Sequence, residues 1–305
     1  MLNNISNYNC LYKNMFWLNS DVLKSFPELF NKKQAETTND NETIEETSDI
    51  AVIAHRGYSS EAPENTIPAF ILAAEKGYDT VECDIEWTKD SVPILLHDNT
   101  INRTARRENG WGFLFRRKCS NYTFEELQKL DFGSWKGQEY KGTKIPSFYE
   151  ALECGDEHNL NLYVEIKEND DFDIKKAKIL ADAVKDAGME DKVTWISFNS
   201  DYLEMMSDLM PESRLGYLTK KEPDENTIKI LKSLQTENNE VFLDVKASKM
   251  TKEADKLLDD AGFDFEAWTV DDEETLEEMY AYECKGITTN KLTEEDIDDM
   301  LDSFD

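Results

Sequence analysis

Residues 160–198 read LNLYVEIK-ENDDFD-IKKAKILADAVKDA-GMED-KVTWISF. Leu160–Lys167 places apolar residues at every second position, which is the period of a strand. Ile174–Ala187 has the period of an amphipathic helix. Val193–Phe198 is a second short apolar run. One strand, one helix and one strand with short links make a parallel βαβ unit.

The same alternation extends in both directions. Ala51–His55, Thr80–Trp87, Pro93–His97, Leu215–Leu218, Val241–Val245, Phe265–Thr269 and Gly286–Thr288 read as further strands. Thr66–Lys76, Phe124–Leu130, Ser147–Cys154, Asp201–Met210, Glu225–Leu234, Lys252–Asp260, Glu274–Tyr282 and Glu294–Leu301 read as helices. About eight such units in roughly 255 residues is the size of a (β/α)8 TIM barrel. A doubly wound open sheet is the rival. No G-x-G-x-x-G or G-x-x-x-x-G-K-[ST] opens a helix, so the nucleotide-cradle signs of an open sheet are missing.

The predicted barrel occupies residues 50–305, with an insertion over 99–159 after the second strand unit. Residues 33–49 are polar and acidic and read as a flexible linker. Before it, residues 1–32 read as an extension in which Ser20 suits the cap of a short helix. That segment suits docking on the main domain or a partner better than interfacial anchoring, because it lacks a basic face.

Composition narrows the function. The chain of 305 residues has 34 Lys+Arg against 65 Asp+Glu, a net charge of −31. Such a field repels phosphate backbones, so a nucleic-acid partner is not expected. General adsorption to anionic membranes is disfavoured on the same ground. No apolar run reaches the ~18–20 residues of a membrane span, and no stable membrane insertion is expected. The first twenty residues make a poor signal peptide. The five cysteines are scattered and form no C-x-x-C, which favours a reduced, cytoplasmic, disulfide-free protein. Nothing in the chain speaks to the oligomeric state.

In a TIM barrel the chemistry sits at the C-terminal ends of the strands. His55 and Arg56 follow one strand, Glu82 and Asp84 lie on the next, His97 ends another, and Glu165, Lys167 and Trp268 close later ones. Side chains two apart share a strand face, so Glu82 and Asp84 point together and Cys83 points towards the helices. Glu165 and Lys167 pair likewise. Three converging carboxylates repel unless a cation lies between them, and a hard divalent ion, Mg²⁺ or Ca²⁺, suits oxygen ligands. Any one of these acids alone reads equally as a solvated strand-end residue. Of three histidines, two end predicted strands. A facing imidazole pair can supply a base and an acid near neutrality. His158 reads as a surface residue. With Arg56 and Lys167 beside a metal, the set suits a phosphate ester, although Arg56 also fits a plain rim ion pair.

These residues fall in a familiar order. His55-Arg56-Gly57, Pro63-Glu64-Asn65-Thr66, Gly77-Tyr78-Asp79, Glu82-Cys83-Asp84, His97-Asp98, Glu165-Ile166-Lys167 and Trp268-Thr269-Val270 resemble the glycerophosphodiester phosphodiesterases over about residues 50–290. The resemblance implies a TIM barrel with one divalent cation. It implies Glu82, Asp84 and Glu165 as metal ligands and His55 and His97 as the acid/base pair. Arg56 and Lys167 would contact phosphate, and Trp268 would wall the glycerol side. The implied reaction converts a small glycerophosphodiester to glycerol 3-phosphate and an alcohol through a cyclic phosphate. A lysophospholipase D or sphingomyelinase D type lipid phosphodiesterase is the alternative enzyme. An inactive barrel used as a binding module is the alternative of another class. The chain departs from the pattern at Asn290, where the family usually has Asp, in its first 49 residues and in its charge. The insertion carries Arg103, Arg106, Arg107, Arg116, Arg117 and Lys118, a basic island suited to steering phosphates, touching lipid head groups or pairing with nearby acids. Trp111, Phe113, Phe115 and Trp135 suit either an acyl or alcohol pocket or burial of the insertion, and burial is the expectation.

Overall fold

Strands that are apolar on both faces must be covered on both, and here helices cover one side while the barrel interior covers the other. The computed structural model describes residues 50–168 and 172–301. The extension 1–32 and the linker 33–49 lie outside the described residues. In chain order the strands are β1 (Ala51–Ala54), β2 (Thr80–Trp87), β3 (Pro93–Leu95), β4 (Asn161–Ile166), β5 (Val193–Ser197), β6 (Arg214–Thr219), β7 (Glu240–Lys246), β8 (Phe265–Trp268) and β9 (Gly286–Thr289). The helices are α1 (Ile67–Glu75), α2 (Phe124–Leu127), α3 (Phe148–Glu157), α4 (Ile174–Ala187), α5 (Ser200–Leu209), α6 (Glu225–Leu234), α7 (Lys252–Ala261), α8 (Glu273–Ala281) and α9 (Glu294–Leu301).

Every strand except β3 is parallel to its neighbours, and β1 pairs with both β2 and β9 to close the ring. The fold is a TIM barrel. The open-sheet rival is excluded by that closure. In α4, the Asp173 carboxylate accepts the Lys175 and Lys176 amides at the N-terminus. Gly188 ends the helix in the left-handed region at φ 68°. These two residues explain why the helix occupies the span that its apolar period predicts.

Two hydrophobic layers follow from the strand alternation. Val81, Cys83, Ile85, Val164 and Leu243 face the helices. Ile53, Tyr163, Ile196, Leu218 and Phe242 fill the ring. Towards the N-terminal ends of the strands, Arg214 pairs with Glu240 at 2.6 Å and Glu266 at 2.8 Å. Its guanidinium lies 4.1 Å from the Phe242 ring centroid. Cys83, Cys119, Cys154 and Cys284 are buried free thiols.

Two expectations change. Pro93–His97 is not a barrel strand. Only Pro93–Leu95 is extended, and β3 runs antiparallel to β2 with Ile85 opposite Leu95 and Trp87 opposite Pro93. The link 88–92 is far shorter than the dozen or so residues a parallel crossover needs, so a hairpin is the only available connection. His97 therefore stands on an arm folded back from β2. The insertion 99–159 also divides. Its last part, α3, packs against α1 and α4 in the outer helix ring. The rest packs with the β3 arm around a small core of Ile94, Ile101, Cys119, Leu127, Phe132 and Ile145.

The ring interior is tight enough to test. A Cβ on Gly216 would lie 2.6 Å from Phe242 Cζ and 2.8 Å from Ile196 Cγ2. Gly216→Ala should therefore destabilise the barrel by about 1–3 kcal/mol in urea unfolding, whereas a neutral effect would show that the interior can give.

Candidate active site

At the end of β1 the backbone turns sharply. Arg56 has φ 60° and Gly57 φ 75°. A Cβ on Gly57 would stand 2.7 Å from the Ala69 carbonyl carbon, so the start of α1 can press against this turn only if residue 57 is glycine. The turn points the Arg56 amide at Glu82, whose Oε2 accepts it at 2.9 Å.

β2 and β4 carry the acids. Asp84 and Glu165 are register partners on these two strands. One carboxylate oxygen each from Glu82, Asp84 and Glu165 lies within 4.8 Å of the others. All three residues are buried. Two cations offset them. Lys167 Nζ stands 2.5 Å from Asp84 Oδ1 and 2.6 Å from Glu165 Oε2. Arg56 Nε lies 3.4 Å from Asp84 Oδ2, and its Nη1 lies 2.8 Å from Glu64 Oε1. Asn65 holds Asp84 from behind, its Nδ2 donating to Asp84 Oδ2 at 2.6 Å and its Oδ1 accepting the Asp84 amide at 3.0 Å.

The charges are unequally satisfied. Burial opposes ionisation of Asp84, yet Lys167 and Arg56 hold it well below the usual carboxylate range. Burial pushes Glu82 well above that range, and repulsion from Asp84 and Glu165 adds to the push. Burial and Asp84 raise Glu165 to about 7 despite Lys167. Two cations are thus too few for three carboxylates at this depth, and the donor set is entirely hard oxygen. These residues fit a divalent cation.

Both histidines sit beside this cluster. His55 Nε2 is 3.9 Å from Glu82 Oε2. His97 reaches the same cleft because the arm runs back towards the ring, where the Leu96 amide donates to the Asp84 carbonyl at 3.0 Å. Their partners fix their tautomers. Asn290 Nδ2 donates to Asp271 Oδ2 at 2.6 Å, so its Oδ1 faces His55 Nδ1 at 2.7 Å. An amide oxygen only accepts, so His55 Nδ1 carries the proton and Nε2 is left bare. Asp98 Oδ1 lies 2.8 Å from His97 Nδ1 and orients that ring in the same sense. Burial and the neighbouring Arg56 lower the His55 pKa to about 4. Burial lowers His97 too, with Asp84 and Asp98 opposing the shift.

The cleft is about 400 Å3, and of the site residues predicted from the sequence, His55, Arg56, Glu82, His97, Glu165, Lys167 and Trp268 line it. Asp84 lies fully buried behind them. Ile196, Phe198, Leu218 and Trp268 form the apolar side. Trp268 donates its Nε1–H to the Asp244 carbonyl at 3.2 Å and meets Phe198 edge-on at 83°. His158 ends α3.

Nothing local in the sequence gives a role to Glu64, Asn65, Asp98 or Asp271, and Asn290 stands out there only as a departure from the family pattern. Sequence reading also passed over Glu86, which continues the two-residue spacing of Glu82 and Asp84 and lines the cleft. That spacing was a usable signal for Glu86. Asp271 and Asn290 lie 19 apart on separate loops, and nothing local marks them as a pair.

The Glycerophosphoryl diester phosphodiesterase family matches residues 55–294. The chain belongs to this family. A glycerophosphodiester phosphodiesterase of Caldanaerobacter subterraneus subsp. tengcongensis is 36% identical over 167 residues, 55% of this chain and 65% of that one. A putative glycerophosphodiester phosphodiesterase of Bacillus subtilis is 28% identical over 252 residues, covering 78% of this chain and 93% of the relative. Among solved structures, an Oleispira antarctica phosphodiesterase in complex with the product sn-glycerol-3-phosphate superposes with a TM-score of 0.73 at 27% identity, covering 83% of this chain and 96% of that one.

The histidine geometry yields a direct test. In metal-free protein labelled with 15N-histidine, His55 should be neutral at pH 6 with its proton on Nδ1, and should titrate near pH 4. Because its folded pKa lies below the ordinary 6.5, the unfolded chain takes up the extra proton first. His55 therefore makes stability fall as pH drops from about 6.5 towards 4. A His55 signal with the proton on Nε2 would contradict the amide assignment.

Proposed function

We propose that this chain hydrolyses small glycerophosphodiesters to glycerol 3-phosphate and an alcohol, with His55 as the initial base and His97 as the initial acid. The observation that carries this reading is the pair of imidazoles lining a single cleft, beside a buried cluster of three carboxylates and two cations. Family membership and a product-bound structural relative support it.

The partners of the two rings separate their roles. His55 Nδ1 faces a neutral amide oxygen, so a positive charge on that ring gains little. His97 Nδ1 faces the Asp98 carboxylate, which stabilises an imidazolium. In the first step His55 Nε2 takes the proton of the glycerol 2-hydroxyl as its oxygen attacks phosphorus. The bond from phosphorus to the leaving alcohol breaks, and His97 donates its Nε2 proton to that oxygen. The neighbouring hydroxyl makes this attack intramolecular, with a large effective molarity. Water then opens the cyclic phosphate with the roles reversed. Arg56 and Lys167 hold the anionic oxygens, and Trp268 walls the glycerol.

Glu82, Asp84 and Glu165 would hold one divalent cation, Mg²⁺ or Ca²⁺. When bound, it supplies charge neutralisation at phosphate and a lowered pKa for the attacking hydroxyl.

Release of glycerol 3-phosphate from glycerophosphocholine tests the reading. His55→Ala and His97→Ala should each lower kcat by roughly 10²–10⁴. EDTA should abolish turnover, and added Mg²⁺ or Ca²⁺ should restore it. Turnover confined to lysophosphatidylcholine would instead assign a lysophospholipase D type enzyme. No turnover of either would leave a binding module.

Asn290 offers a finer test. Asn290→Asp, combined with Asp271→Asn so that the new carboxylate meets a donor and not a second carboxylate, places a negative charge against His55 Nδ1, which favours the imidazolium and raises its pKa. The acidic limb of the kcat/KM profile should move to higher pH by about one unit or more. An unmoved limb would remove His55 from the role of base.

A further inference from the structure

Trp111 is 73% exposed, Leu114 96% and Phe115 74%. Three of the five large hydrophobic side chains exposed among the described residues therefore stand within five positions of one loop. This overturns the expected burial of Trp111 and Phe115, while Phe113 does pack on the insertion core and Trp135 bonds inward to the Phe132 carbonyl. The loop is held in place. Asn102 Nδ2 donates to the Phe113 carbonyl at 3.1 Å and to the Phe115 carbonyl at 2.8 Å, fixing the backbone on either side of Leu114.

Its charge opposes that of the whole chain. Residues 99–118 hold six basic side chains and one acid, Glu108. Arg103 is tied to Glu64 and Asp98. Among the described residues, Arg106, Arg107, Arg116, Arg117 and Lys118 make no ion pair with an acid, so pairing does not account for the island. Arg107 instead covers the Phe113 ring at 4.7 Å.

The loop rises from the rim of the cleft. Arg116 Nη2 donates to Asn99 Oδ1 at 3.1 Å, and Asn99 lines the cleft. Trp111, Leu114 and Phe115 do not line it, so they are placed to meet something outside. Aromatic and aliphatic tips ringed by Arg and Lys are the chemistry of the boundary between lipid head groups and acyl chains.

We infer that the loop 106–118 is a docking surface for an anionic phospholipid bilayer, which it meets at the mouth of the cleft. Trp111, Leu114 and Phe115 enter the head-group layer, and the unpaired basic side chains contact lipid phosphate and carboxylate. The net charge of −31 does not forbid this, because charges farther than about 8 Å from the membrane are screened at physiological salt. No helix among the described residues is long and apolar enough to cross a membrane.

Co-sedimentation of the full chain with phosphatidylcholine vesicles, with and without about 30% phosphatidylserine, tests it. The chain should pellet with the anionic vesicles and not with phosphatidylcholine alone. Binding should be lost in about 0.5 M salt. Trp111→Ser with Leu114→Ser and Phe115→Ser, and separately Arg117→Glu with Lys118→Glu, should each weaken binding at least about tenfold. Both variants should still hydrolyse soluble glycerophosphocholine at the parent kcat under saturating substrate, so a failed diesterase reading and a failed docking surface give different results. No vesicle binding by the parent chain, or equal binding by the variants, would overturn the inference. So would a variant that converts a dimer to a monomer, because the patch would then be a contact between copies.

Discussion

Repulsion among three buried carboxylates organises this molecule. Glu82, Asp84 and Glu165 would not remain charged together at such depth without compensation. Lys167 and Arg56 answer Asp84 most fully and leave Glu82 and Glu165 under strain. The neighbouring geometry serves that imbalance. Gly57 lets β1 turn early enough to offer an amide to Glu82. Asn65 supplies a neutral donor to Asp84 without adding another charge.

Around this cluster the two imidazoles resemble each other in tautomer and differ in support. A neutral amide backed by Asp271 stands behind His55, and a carboxylate shared with Arg103 stands behind His97. The side chains that touch the rings thus decide how each one bears a positive charge. The proposed division of labour comes from those loops, not from the strands.

Much of this was legible in the sequence. The barrel was readable because period-two runs and 3.6-residue periods alternate with few interruptions, and α4, α6 and α9 lie where their apolar spacing puts them. The convergence of Glu82, Asp84 and Glu165 was readable because side chains two apart share a face. The antiparallel arm was not read, because a three-residue strand carries no mark of its pairing direction; only the short link after Trp87 hinted at it. The helix α3 was assigned to the insertion although Ser147 and Glu150 form a capping box that marks its start. The contact between Asn290 and His55 spans 235 residues and depends on where two loops end. The exposure of Trp111 and Phe115 was missed because an aromatic residue in a loop says nothing by itself about which way it faces.

The hairpin after β2 has one more implication. Every acid in the cluster is rooted in the closed ring, but His97 arrives on an appendage with a separate hydrophobic nucleus. In the proposed reaction, the acids that would hold the cation and the imidazole that would protonate the leaving alcohol therefore stand on parts of the chain with different hydrophobic clusters behind them.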